Sequence, residues 1–158
     1  MNRASPPWAR AVATALVGVA AVTGCTSAGM SLSFQQTIPR GAAAVRLRSA
    51  LTPARMFESA HTLFAEKGFG FPKLDESSMS LQTDALPIGS SKAPLRLRVS
   101  VEPLDSGSVL TATGETLVSP GVWGPATNAG DKAKAGFQEM VMLVGQLPHL
   151  EIQYLERL

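Results

Sequence analysis

Few residues in this 158-residue chain carry side chains suited to chemistry, and their spacing separates them into four groups. Cys25 is the only cysteine, and it follows Val22-Thr23-Gly24. One thiol excludes an intramolecular disulfide and an all-thiolate zinc site, each of which needs partners. Only two histidines occur, His61 and His149. His61 stands three residues after Glu58, on neighbouring positions if the segment is helical, so a general base oriented by a carboxylate is one reading. It has no second histidine four residues on, as a helical zinc site would. The plainer reading, a boundary histidine hydrogen-bonded to its neighbour, is favoured. His149 follows Pro148, where an imidazolium suits the negative end of a preceding helix. Four arginines form two pairs, Arg46 with Arg48 and Arg96 with Arg98, each in an alternating Arg-Leu-Arg run. If their strands were neighbours, four guanidinium groups would share one surface able to grip phosphate, an anionic headgroup or an acidic partner. The plainer alternative is a solvated face neutralised by Glu102, Glu115 or Asp84 on adjacent strands. Trp123 lies in a Pro/Gly-rich stretch, and Met142 sits about 100° or more from the apolar stripe of its helix. An apolar flank around Trp123 and Met142 is a candidate protein contact. A tryptophan so placed more often seals the end of a core.

Cys25 has the most specific surroundings. Arg3 and Arg10 make a basic start without acids, and Ala11 to Val22 is an apolar run of 12 residues. That run is too short to cross a bilayer, which takes roughly 20 residues. Basic start, short apolar run, small residues and the sole cysteine together resemble the signal of bacterial lipoproteins, with Val22-Thr23-Gly24-Cys25 as the lipobox. The resemblance covers the first 25 residues. It implies diacylglyceryl attachment at Cys25, cleavage before it, and frequent N-acylation (palmitate is a common chain). Two or three acyl chains suffice for stable anchoring. Thr26, rather than Asp, follows the cysteine; in a diderm bacterium the resemblance then favours the outer membrane, with the domain facing the periplasm.

Processing also changes the charge. The whole chain has 14 basic and 12 acidic residues. Loss of Arg3 and Arg10 leaves 12 of each, so the mature chain is neutral and a nucleic-acid partner has no electrostatic footprint. With 45% hydrophobic and 16% charged residues the chain is too apolar to be disordered throughout. No Gly-x-Ser-x-Gly elbow, phosphate-cradling loop or metal-spaced cluster of His, Asp and Glu occurs. Gly68-Phe69-Gly70 follows a helical pattern rather than a strand and reads as a cap. The expectation is a non-enzymatic protein without cofactor or metal.

The elements that position these residues follow from periodicity. Residues 25–40 read as a flexible tether, with a first short strand at Leu32 to Phe34 as one option. Residues 41–158 are expected to form one domain. Ala43, Val45 and Leu47 alternate with Ala44, Arg46 and Arg48, a half-buried strand. Thr52-Pro53 opens a helix to about residue 67, with Thr52 as cap and Met56, Phe57, Ala60, Leu63 and Phe64 as its stripe. Strands follow at 69–74, 79–83, 95–101 and 109–118. Residues 85–94 and 119–130 read as loops, and Asp105-Ser106-Gly107 as a hairpin turn. A second helix over about 131–147 starts from Asn128 or Asp131 as cap. Residues 150–158 form a last strand or a short helix.

The order β-α-β-β-β-β-α implies an α+β fold of two layers: an antiparallel sheet of four or more strands with both helices on one face. Phe57, Phe64, Leu97, Val99, Phe137 and Val141 should share its core. This order resembles the helix-grip modules of envelope lipoproteins that accompany outer-membrane barrel assembly. It is also loosely similar to the lipoprotein of lipopolysaccharide assembly. Three functions follow as expectations: a lipid-anchored module that binds a partner protein or envelope component, a carrier with an apolar or amphipathic small molecule between sheet and helices, or a hydrolase with a triad assembled from distant residues.

Overall fold

The long strands and both helices fall where the apolar periods require. The computed structural model describes residues 37–89 and 92–156, which belong to one unit, residues 35–158. In chain order the elements are β1 (Ala44–Ser49), α1 (Pro53–Glu66), β2 (Lys73–Asp75), β3 (Ser80–Gln82), β4 (Leu86–Ile88), β5 (Ala93–Leu104), β6 (Gly107–Ser119), β7 (Val122–Pro125), α2 (Asp131–Val144) and β8 (Glu151–Leu155). The fold is α+β: one antiparallel sheet with two helices.

The long β5–β6 hairpin is the spine. Its ladder runs from Leu95 opposite Thr116 to Leu104 opposite Gly107. Gly107 adopts φ +138°, and a Cβ there would run into the Ser49 carbonyl, so the turn needs glycine. Along the sheet the strands lie β2-β3-β5-β6-β1-β8, with β4 beside β5 and β7 beside β6. The register puts Val45 opposite Ala112 and Val99 opposite the same residue. Strand alternation therefore sends Val45, Leu47, Leu97, Val99, Leu110 and Ala112 to one face. Both helices cover that face: Met56, Phe57, Ala60 and Phe64 of α1, with Phe137, Met140, Val141 and Val144 of α2, complete the core. All six residues expected in the core are buried there. Close approach of α2 depends on Gly136, whose α-hydrogen side faces Thr116 of β6.

Several expectations need correction. Residues 85–94 and 119–130 are not wholly loops. Leu86 and Ile88 pair with Leu95 and Ala93, and Trp123 pairs with Leu117, so each stretch holds a short strand. Their Pro and Gly residues mask them, because proline and glycine read as turns while an edge strand tolerates both. The strand expected over 69–74 shrinks to β2: Phe69 turns into the core and Phe71 packs on His61. Thr52 occupies the N-cap position before Pro53, yet its side chain makes no cap hydrogen bond. Neither Asn128 nor Asp131 caps α2; Gly130, at φ +74°, stands there instead. Asn128 Nδ2 donates to the carbonyls of Ile38 and Pro39, and the Gly41 and Ala42 backbones bond to the Asn128 backbone. Residues 38–40, assigned to the tether, are thus tied to the domain. The rest of the expected tether, the option of a strand at Leu32 to Phe34, and Cys25 with the residues that resemble a lipobox lie outside the described residues.

Candidate functional site

Because both helices pack on one face, the other face of the sheet carries the polar half of every alternating strand. β6 runs between β1 and β5, so the two arginine pairs are not on neighbouring strands. They nevertheless share this face. Arg46 lies opposite Thr111 and Arg98 opposite Thr113, on either flank of β6.

Acids match most of this charge. Glu115, directly opposite Arg96, takes its Nε at 2.5 Å, and Arg98 reaches the same carboxylate at 4.0 Å. Arg48 pairs with Glu151 at 3.2 Å. Gln153 donates to Glu151, and that bond together with Arg48 holds the Glu151 carboxyl below its usual range. Of the three acids expected to neutralise the face, Glu115 does so, while the pairs observed involve neither Glu102 nor Asp84. Arg46 differs. Its Nε is buried without a hydrogen-bond partner, and among the described residues it forms no ion pair.

Trp123 joins this face through β7. The Arg96 guanidinium stacks over its ring at 4.5 Å from the centroid. The ring therefore lies on the sheet's outer side and does not seal the core. On the same face a shallow depression of about 500 Å³ is lined by Ala44, Arg96, Arg98, Thr113, Glu115 and Pro125. A second, of about 420 Å³, has Lys73, Gln82, Ser100 and Thr111 in its wall. Arg98 and Thr113 border both. Such a face can bind carboxylate, phosphate or sulfate through guanidinium forks and stack a planar or sugar ring on Trp123.

Met142 lies elsewhere. It is 64% exposed on α2, in the opposite layer, and lines a hollow with Lys67, Leu86, Ile88 and Gln146. Trp123 and Met142 therefore do not form one apolar flank, nor does the segment bearing Trp123 cover Met142. Helix α2 turns Met142 to solvent, whereas β7 carries Trp123 to the far side of the sheet.

The histidines have structural surroundings. His61 packs against Phe71 with ring centroids 4.5 Å apart, while Glu58 engages Arg55 at 3.9 Å. His149 Nδ1 lies 2.8 Å from the Leu147 carbonyl. Gly68, at φ +90°, follows the end of α1 as expected of a cap. Asp75 accepts hydrogen bonds from Ser77 and Ser78, which lower its pKa to about 2; it organises a turn. Burial pushes the Tyr154 hydroxyl up, and among the described residues that hydroxyl has no hydrogen-bond partner.

The Arg96–Trp123 stack is the feature missed from the sequence. Its available signal was Val122-Trp123 between Gly121 and Gly124, a β-branched and aromatic pair of strand character inside a turn-rich stretch. No protein-family model matches the chain, and no curated protein matches it.

Proposed function

We propose that the chain is a lipid-anchored, non-enzymatic lipoprotein of the cell envelope, modified at Cys25, whose domain binds a partner protein or envelope component on the uncovered face of its sheet. The observation that carries the reading is the set of Arg46, Arg96, Arg98 and Trp123 on a face that neither helix covers. Arg46 is its focus, because among the described residues no acid pairs with its guanidinium, and an anionic group brought by a ligand would do so. The apolar layer supports a binding module over a carrier, since Phe64, Phe137, Leu47, Met56 and Met140 are fully buried between sheet and helices. The short apolar run before Cys25 supports the anchor.

Two measurements test the two halves separately. Mass spectrometry of the membrane fraction should find an acylated N-terminal Cys25, and Cys25→Ala should leave an uncleaved precursor. Cleavage elsewhere with a free thiol at Cys25 removes the anchor from the reading. Photocrosslinking in the native membrane from position 113 on the arginine face should capture a specific partner, compared with position 62 on the exposed side of α1. Arg46→Ala should weaken that capture. Equal capture from both positions, unaffected by Arg46→Ala, would overturn the binding face.

A further inference from the structure

The sheet exposes four edges among the described residues, and three of them are blunted. β2 is a three-residue edge with exposed Lys73 and Asp75. β4 has Pro87 at its centre, which removes a backbone donor. β7 has four residues and ends at Pro125. Short length, charge and proline are the devices by which sheets avoid pairing with other chains. β8 has none of them: Glu151-Ile152-Gln153-Tyr154-Leu155 lacks proline, glycine and lysine and ends the sheet beside β1. Its one acid, Glu151, is held by Arg48 and Gln153 on the outer face.

The core is also thin at this end. Both helices sit over β5 and β6, and β8 contributes Ile152 and Tyr154, which pack against the core but stay only partly buried. Leu150, at the entry to β8, is 76% exposed. An unblunted edge with a half-covered apolar side invites a further strand.

From this edge we infer that the protein associates as a two-fold dimer in which β8 pairs antiparallel with β8 of a second copy, centred on Gln153. The occupant is a second copy because β8 is self-complementary in that register. Ile152 of one copy lies opposite Tyr154 of the other, both on the helix side, and Glu151 lies opposite Leu155 on the outer side. No like charges meet, since Glu156 falls opposite Leu150. The even sum of paired positions keeps both helix layers on the same side, so the two apolar sides become continuous. The resulting surface is symmetric and closes on itself. The inference does not depend on what the arginine face binds.

The test uses the full chain in its native membrane and a short bismaleimide. Across a paired antiparallel position, Cβ atoms lie about 4.5–5.5 Å apart, so cysteines at the two-fold centre are within reach of the reagent. Gln153→Cys should give a crosslinked species of doubled mass, at least about tenfold above Lys73→Cys on the blunted β2 edge. The unsubstituted chain measures any background through Cys25. Ile152→Lys, which places a charge on the apolar side of the seam, should abolish the crosslink of Gln153→Cys while circular dichroism shows the fold retained. Light scattering of the unsubstituted chain in mild detergent should give two copies per particle. A single copy per particle, or equal crosslinking from positions 153 and 73, would overturn the inference. So would a crosslink from position 153 that runs mainly to another protein.

Discussion

Gly136→Ala sets local helix preference against tertiary fit. In an isolated helix the change is favourable by about 0.8–1.0 kcal/mol, because alanine restricts the unfolded chain and stabilises the helix. In this fold the new Cβ would stand 2.8 Å from Thr116 Cβ, 2.9 Å from its Cγ2 and 3.1 Å from its Oγ1. Thr116 has no room to yield. It is fully buried, and its hydroxyl donates to the Pro94 carbonyl at 2.8 Å. Relief therefore requires α2 to withdraw from β6 by about 0.6 Å, the gap between 2.8 Å and ordinary contact at 3.4 Å. A displacement of that size forfeits a quarter or more of the contact energy of the atoms involved. Phe137 and Met140, next along the same face, lose most. Overpacking of this kind typically costs about 1–3 kcal/mol. Taking the middle of that range less the helix gain, the net expectation is destabilisation by about 1 kcal/mol despite the better helix former. With a urea slope of about 2 kcal/mol per molar, the midpoint should fall by about 0.5 M. Urea unfolding followed by circular dichroism measures it. Gln138→Gly, on the exposed side of α2, isolates the propensity effect in the same helix and should be destabilising through that effect alone. A Gly136→Ala midpoint equal to or above that of the unsubstituted protein would refute the close approach of α2 to β6.

Two further outcomes follow from single contacts. Thr83 Oγ1 accepts the buried Leu97 N–H at 2.8 Å, so the near-isosteric Thr83→Val should lower stability by about 1–3 kcal/mol, read from the same denaturation curves, while leaving the circular dichroism spectrum unchanged. Asp75, fully exposed, has a folded pKa of about 2 against 3.8 ordinarily, chiefly through Ser77 and Ser78. A depressed carboxylate stabilises the fold above its unfolded value and loses that contribution as pH falls through the folded one. Asp75→Asn should therefore flatten the decline in melting temperature between about pH 4 and pH 2 relative to the unsubstituted protein, and an identical acid limb would exclude this role.

The sequence alone determined the elements whose information is local. Alternations such as Leu95 to Val101 and the stripe Met56, Phe57, Ala60, Phe64 each require one buried face, so α1, α2, β5, β6 and the two-layer α+β arrangement were legible. Burial of Phe57, Phe64, Leu97, Val99, Phe137 and Val141 followed for the same reason. Periodicity also put Arg46, Arg48, Arg96 and Arg98 on the sides facing away from the core, yet it carries no information about which strands are neighbours. Only the tertiary pairing inserted β6 between β1 and β5, gave Glu115 to both Arg96 and Arg98, and left Arg46 without an acid among the described residues. Strands of three or four residues, β4 and β7, exist because β5 and β6 offer them a ladder; their Pro and Gly content expresses no strand preference without it. For that reason Trp123, which a loop would have folded over the core, instead reaches Arg96 on the opposite face, and Met142 is left alone on α2. The segment before Cys25 is the converse case: the resemblance of Val22-Thr23-Gly24-Cys25 to a lipobox is a property of the linear sequence and does not depend on how the domain folds.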